Sequence, residues 1–319
     1  MGRIKFRNIT NFARKAYRFG WFIPFTNALL VYGRKIMPSG LLRKMAIKRN
    51  LKVETYIDNV IGGVQNLIST NSNNESHKSK IIWFCWLQGE DNMPELTKVC
   101  LKSIQKNASG CDVRIISLDN LNEYIHLPER IRSLYAKGNI TAAHLSDIIR
   151  LGLLSTYGGF WIDATMLLAK PIPENIFEYE LYSMKSDPVD YYVSDCRWAG
   201  FCFYMQKNSL FARLANVILL RYWEKEDWLI DYFMIDYIFD LLYRKVPAIR
   251  NAMDKIPMNN PNLHALFPLI LEDFNQETYD NITNDTSFFK LNWKMYSTSQ
   301  LNSNANSFYT HIKNSLIDG

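Results

Sequence analysis

The first 53 residues contain no aspartate or glutamate, although thirteen lysines and arginines fall there. The remainder carries 24 basic against 31 acidic side chains, so the formal net charge of +6 belongs wholly to the N-terminus. That asymmetry argues against a generally basic nucleic-acid binder, and no stacking platform or base-reading motif accompanies the charge. Cysteine is also sparse. Cys85, Cys100, Cys111, Cys196 and Cys202 are odd in number and form no C-x-x-C pair or zinc spacing. They read as reduced, buried thiols of a cytosolic chain rather than a disulfide framework. Long apolar runs are missing too. The stretch Phe19 to Tyr32 has only 14 residues and is broken by Pro24, Thr26 and Asn27, too short to span a bilayer. No small-residue cleavage site follows it, and Phe6 breaks the myristoylation pattern. There is no glycine-rich phosphate loop and no internal repeat.

What is present divides into three parts. Residues 1–68 form a basic, helical N-terminal segment. Ile9, Phe12, Ala13, Ala16 and Tyr17 have helical spacing, with Arg7, Arg14, Lys15 and Arg18 on the other face. Arg43, Lys44, Lys48 and Arg49 make a second basic cluster. Such a segment suits an anionic membrane surface, or a basic layer packed on the protein itself. Residues 69–79 are polar and aperiodic, a linker. Residues 80–319 hold an α/β domain, for which a hydrophobic content of 48% supplies ample core. A buried strand from Lys80, a helix starting at Pro94 and a strand Asp112 to Leu118 predict a parallel unit. Ligands of such sheets collect at the carboxyl ends of the strands.

The most informative stretch is Thr141 to Lys170, TAAHLSDIIRLGLLSTYGGFWIDATMLLAK. It reads as a helix, a stop at Gly158-Gly159 and a strand from Phe160 to Leu168. The helix is apolar on two sides, yet carries Asp147 and Arg150 three residues apart. Asp163 is a carboxylate in an apolar, aromatic strand. These charges are expected to be at least half buried, so they need partners. An internal salt bridge satisfies that need, and so does a polar ligand. Three such residues in consecutive elements favour the ligand. Further on, Trp198 to Gln206 reads as a strand and Ser209 to Glu226 as a helix. From Trp228 a helix follows in which Asp231, Asp236 and Asp240 recur at helical spacing.

The patterns AAHLSDIIR and YGGFWIDAT resemble the sugar-nucleotide-binding region of family 32 glycosyltransferases and of bacterial capsular polysaccharide synthesis proteins. They are also similar to the glucosyltransferase domain of large clostridial toxins. The resemblance implies a GT-A fold, a Rossmann-like α/β domain with a mixed sheet and a DxD motif. The second acid of that motif is Thr165 here, giving Asp163-Ala164-Thr165. By carry-over, Asp147 accepts from donor-sugar hydroxyls, Arg150 reaches the sugar or diphosphate, and Asp163 anchors Mn²⁺ or Mg²⁺ with help from Thr165. Trp83 is expected to stack on the base, with Trp161 beside the nucleotide. Asp231 is placed near the donor sugar, and Trp293 and His311 in a flap over diphosphate and metal. The implied activity is retaining transfer from a nucleotide-sugar, a UDP-sugar first, to a glycan or lipid-linked oligosaccharide. The expected location is the cytoplasmic face of the membrane. A catalytically retired scaffold, with Thr165 as the lost ligand, is the alternative.

Overall fold

The computed structural model describes residues 12–33, 37–70, 75–186 and 193–316. Arg7 and Ile9 of the expected amphipathic helix lie outside them, as do residues 71–74 of the linker. The α/β class holds. Five strands form one mixed sheet in the order β2-β1-β3-β6-β5. They are β1 (Ile81–Cys85), β2 (Asp112–Ile116), β3 (Gly159–Ile162), β5 (Leu181–Ser183) and β6 (Cys202–Met205). As the strand–helix–strand pattern predicts, β1 pairs in parallel with β2, and the helix Glu95–Lys106 runs between them in the chain. β1 is also parallel to β3, whereas β6 is antiparallel to both β3 and β5.

The single strand expected from Phe160 to Leu168 is instead two. β3 ends at Ile162, and β4 (Met166–Leu168) leaves the main sheet to pair antiparallel with β7 (Phe288–Lys290). Asp163-Ala164-Thr165 is the turn between them, closed by the Met166 N–H donating to the Asp163 carbonyl at 2.9 Å. Alternation alone could not show the break, because both halves are buried and apolar.

The helix Ala142–Tyr157 lies over the sheet, capped by Thr141, whose hydroxyl accepts from the His144 N–H. It ends at Gly158, as the glycine pair requires: Gly158 and Gly159 have φ of +66° and +106°. Against this helix packs the helix Leu210–Lys225, and against that the helix Met234–Lys245.

The N-terminal segment is helical over 12–19, Phe22–Tyr32, Ser39–Val60 and Val64–Thr70. Phe19, Ile23, Val53, Ile57, Val64 and Leu67 share one apolar cluster with the sheet. Its basic residues are partly spent on the protein. Arg18 makes a bidentate pair with buried Glu226, Lys15 donates to the Ile230 carbonyl, and Arg14 covers the Trp228 ring. The later part of the linker is tied down as well, since His77 and Lys207 exchange backbone hydrogen bonds. No helix among the described residues is long and apolar enough to cross a membrane.

Candidate active site

A cavity of about 740 Å³ opens where β1 and β3 end. Its walls come from Trp86 beyond β1, the first half of the helix Ala142–Tyr157, the Asp163 turn, Gly200-Phe201, the stretch Tyr232–Asp236, and Trp293-Lys294. Six of the residues expected from the sequence line it together: Asp147, Arg150, Trp161, Asp163, Thr165 and Trp293.

Arg150 is the hub. It is buried, and its guanidinium lies 4.8 Å from the Trp161 ring centre. One terminal nitrogen donates to the Gly200 carbonyl and the other to Asp163 Oδ1 at 3.0 Å. Asp147 Oδ1 lies 3.4 Å from it, one helical turn back. The internal salt bridge and the ligand-facing wall foreseen as alternatives are therefore the same object. Asp163 also accepts from Trp161 Nε1 at 2.8 Å and, through Oδ2, from Lys290 Nζ at 3.1 Å. Burial alone would raise its pKa, but Lys290 and Arg150, with the indole N–H, hold it below the ordinary carboxylate value. Asp163 is thus a fixed anion at neutral pH.

His144 extends this network. Its Nε2 accepts from Trp223 Nε1 at 3.0 Å, which leaves the ring proton on Nδ1, 3.4 Å from Asp147 Oδ2. The imidazole thus stands behind Asp147, its buried Nδ1 making no hydrogen bond of its own. Cys85 also lines the cavity, and burial pushes its thiol up to about 12, which disfavours the thiolate.

Three expected site residues lie elsewhere. Trp83 is fully buried in mid-strand. Its Nε1 donates to the Gly158 carbonyl at 2.8 Å and its ring packs on Tyr124 and Tyr157, so it has no face for a base. The aromatic that reaches the cavity is Trp86, past the end of β1, in edge contact with Trp293 at 5.7 Å. Asp231 is buried behind the wall. It accepts from Asn27 and from the Phe233 N–H, and so holds the turn that presents Tyr232 and Phe233. The acid facing the cavity is Asp236, bonded by Trp198 Nε1 at 2.8 Å. His311 stacks on Phe274 at 3.5 Å and does not line the cavity.

The expected metal ligands fare accordingly. Among the described residues, no three His, Cys, Asp or Glu side chains assemble a metal site. Asp163 and Thr165 remain side by side on one turn, but both Asp163 oxygens are already engaged. A divalent ion there would need most of its oxygen ligands from the bound diphosphate and from water.

Signals for the missed residues existed. Trp86, unlike Trp83, follows the strand's last residue, where ligands of parallel sheets collect. Asp236 stands among the three recurring acids, but only the tertiary packing shows which one faces inward. Nothing local marks Lys290, which β7 brings to Asp163 across the β4 pairing.

The signature of the capsular polysaccharide synthesis protein family matches residues 34–312. An O-glycosyltransferase, PaGT of Phomopsis amygdali, is 28% identical over 160 residues, which are 45% of this chain and 37% of that protein. The chain thus aligns with well under half of that relative. A solved structure, the PaToxG glycosyltransferase, is 18% identical and superposes with a TM-score of 0.37 over 76% of this chain and 94% of its own. With the family signature running from the N-terminal helices through the cavity to the last helix, this chain belongs to the capsular polysaccharide synthesis protein family.

Proposed function

We propose that this protein is a glycosyltransferase that moves a sugar from a nucleotide-sugar, first among candidates a UDP-sugar, to a glycan or lipid-linked acceptor in surface polysaccharide synthesis. The observation that carries this reading is the convergence of Asp147, Arg150 and Asp163 in one cavity rimmed by Trp86 and Trp293. The pieces match the needs of such a donor. Tryptophan faces suit a base. Arg150, Lys294 and the N-terminal turn of the helix Ala142–Tyr157 supply positive charge and N–H groups for a diphosphate. Asp147 and Asp236 are acceptors for sugar hydroxyls. Asp163 and Thr165 are the residues that would hold Mn²⁺ or Mg²⁺, which neutralises charge on the leaving diphosphate when bound. The same reading takes the transfer as retaining, with front-side attack, as the resemblance in the sequence implies. The anomeric C–O bond breaks, the acceptor oxygen takes the carbon, and its proton passes to a diphosphate oxygen.

The test is release of nucleoside diphosphate from UDP-, GDP- and CMP-sugars, with and without Mn²⁺. Turnover of one donor class is expected. Complete inertness, equal to that of an Asp163→Asn variant, would reject the reading in favour of a scaffold. An inverted product anomer by NMR would reject retention alone.

Asp236 gives a separate pH prediction. Burial pushes it up to about 6, opposed by the Trp198 N–H and Arg150 and assisted by Asp147 and Asp231. An unfolded aspartate titrates near about 3.9. The folded state therefore binds the extra proton in between. The stability this contributes is complete below the unfolded value and is lost as pH rises through about 6. Asp236→Asn is expected to flatten that slope in urea unfolding measured across roughly pH 4 to 6. It is also expected to raise donor KM several-fold above that range, where the wild-type carboxylate is charged. An unaltered slope would remove Asp236 from this role.

A further inference from the structure

The cluster that suggested a membrane-facing helix in the sequence does something else. Arg14, Lys15 and Arg18 hold the first described helix onto residues 226–230, so their charge points into the protein. A different face is left open. Tyr17 and Trp21 are 95% and 65% exposed, and Phe25, Val31 and Tyr32 follow on the next helix, all exposed. Trp21, which caps the helix Phe22–Tyr32, and Phe25 and Tyr32 within it recur at helical spacing on one stripe. The helix Ser39–Val60 packs beside it and exposes Leu41, Ile47 and Leu51 between Lys44, Lys48 and Lys52. Lys48 and Lys52 reach over the Phe22 ring at 5.5 and 5.0 Å, which joins the two helices' surfaces into one. A depression of about 290 Å³ between them is lined by Trp21, Phe22, Lys52 and Tyr56.

Nine large hydrophobic side chains exposed on this one layer, between Phe12 and Leu51, are too many for an ordinary solvated surface. With no acidic residue before Glu54, the layer is also uniformly positive. Aromatic rings, aliphatic side chains and lysines without carboxylates are the chemistry of the headgroup region of an anionic bilayer. A protein partner would instead call for a mixed rim.

We propose that the face formed by Trp21, Phe25, Tyr32, Lys44, Lys48 and Lys52 seats this protein on an anionic lipid bilayer. The same layer braces the cavity wall. Asn27, on the helix carrying Trp21's stripe, donates to Asp231, which fixes the turn bearing Tyr232 and Phe233. The rings at the cavity rim, Tyr232 and Phe233, are themselves exposed. Docking therefore fixes the cavity's orientation relative to the lipid surface. The inference does not depend on the glycosyltransfer reading, because vesicle binding is measured without a donor.

The test is flotation of the full chain with large vesicles of phosphatidylcholine alone, or with about one third phosphatidylglycerol added. Binding to the anionic vesicles only, weakened by salt, is expected. Lys44→Gln/Lys48→Gln/Lys52→Gln is expected to lower partitioning roughly a hundredfold, from about fivefold per lysine near the surface. Trp21→Ala/Phe25→Ala should lower it at least tenfold, with circular dichroism and melting temperature near wild type in both variants. Equal binding to neutral vesicles, no binding at all, or full binding by both variants would overturn the proposal. So would a solution dimer, by light scattering, that both sets of substitutions dissociate.

Discussion

Asp163→Asn is expected to lower donor turnover by at least a thousandfold, with a measurable loss of stability. The two effects have different origins. Asn keeps the shape and one oxygen, so Arg150 Nη2 and Trp161 Nε1 keep their acceptor. The other position becomes an amide NH₂ facing Lys290 Nζ, which now meets a donor where it had an oxygen 3.1 Å away. Lys290 then loses its carboxylate partner, and Arg150 keeps only Asp147. Removing one member of a buried ion pair typically costs about 3–5 kcal/mol. Partial exposure of Asp163 and Lys290, at 28% and 21% of the side chain, argues for the lower end. The chain should still fold, at a lower melting temperature. Catalytic loss is expected to exceed what the folded fraction explains, because the cavity loses the carboxylate that lies between Arg150 and Lys290. An anchor acting on developing charge is worth several kcal/mol in turnover, with a factor of ten for about each 1.4 kcal/mol. The measurement is single-turnover donor cleavage at a temperature where circular dichroism shows the variant folded. Asp163→Glu, which keeps the charge but lengthens the reach, should recover stability more than rate. Cleavage within tenfold of wild type would remove Asp163 from the chemistry.

The sequence already held the helix, the glycine stop and the residues that converge on the cavity, for physical reasons. Asp147 and Arg150 are three apart, so any helix must place them on one side, and Trp161 and Asp163 are two apart at a strand end. Local geometry therefore fixes the Asp147–Arg150 and Trp161–Asp163 pairs, while Gly200, Lys290 and the Arg150–Asp163 bond come from the folded chain. What periodicity could not show depends on the third dimension. The break between β3 and β4 arises because β7 offers a second pairing partner more than a hundred residues away. Trp83 and Trp86 look alike in a buried aromatic run, yet one lies mid-strand under the helix end and the other past the strand end at the cavity. Asp231 precedes the helix that starts at Met234 and Asp236 lies in its first turn, and only Asp236 lines the cavity. The N-terminal charge was legible as charge, but not its direction. Glu226 and the carbonyl of Ile230 capture Arg18 and Lys15, and only a folded chain brings them together.

Gly158→Ala is expected to be the most destabilising single-methyl substitution at the site, costing several kcal/mol or preventing folding. Gly158 has φ +66° and ψ −160°, a region open essentially to glycine alone. Strain of this kind costs about 1–3 kcal/mol by itself. Here there is no space either. A Cβ would lie 2.3 Å from the Lys207 backbone nitrogen, 2.7 Å from its Cα and 2.8 Å from the Gln206 carbonyl carbon. All three are backbone atoms of the chain leaving β6, so no side chain can swing aside. Lys207 N also donates to the His77 carbonyl at 2.8 Å, and the Gly158 carbonyl accepts from Trp83. Relief of the clash must therefore disturb the β6 exit, the bridge to residue 77, or the seat of Trp83. Gly138 provides the control. It has φ +75°, yet nothing lies within 4 Å of its Cβ position. Gly138→Ala should therefore show the backbone strain alone, about 1–2 kcal/mol. Urea unfolding of both variants compares them, the excess loss in Gly158→Ala combining the close approach with its less accessible backbone region. If Gly158→Ala loses no more than Gly138→Ala, the junction tolerates movement and does not rigidly set the spacing of Asp147 and Asp163. If it loses far more, the glycine pair is what holds helix and strand at the separation the Arg150 network requires.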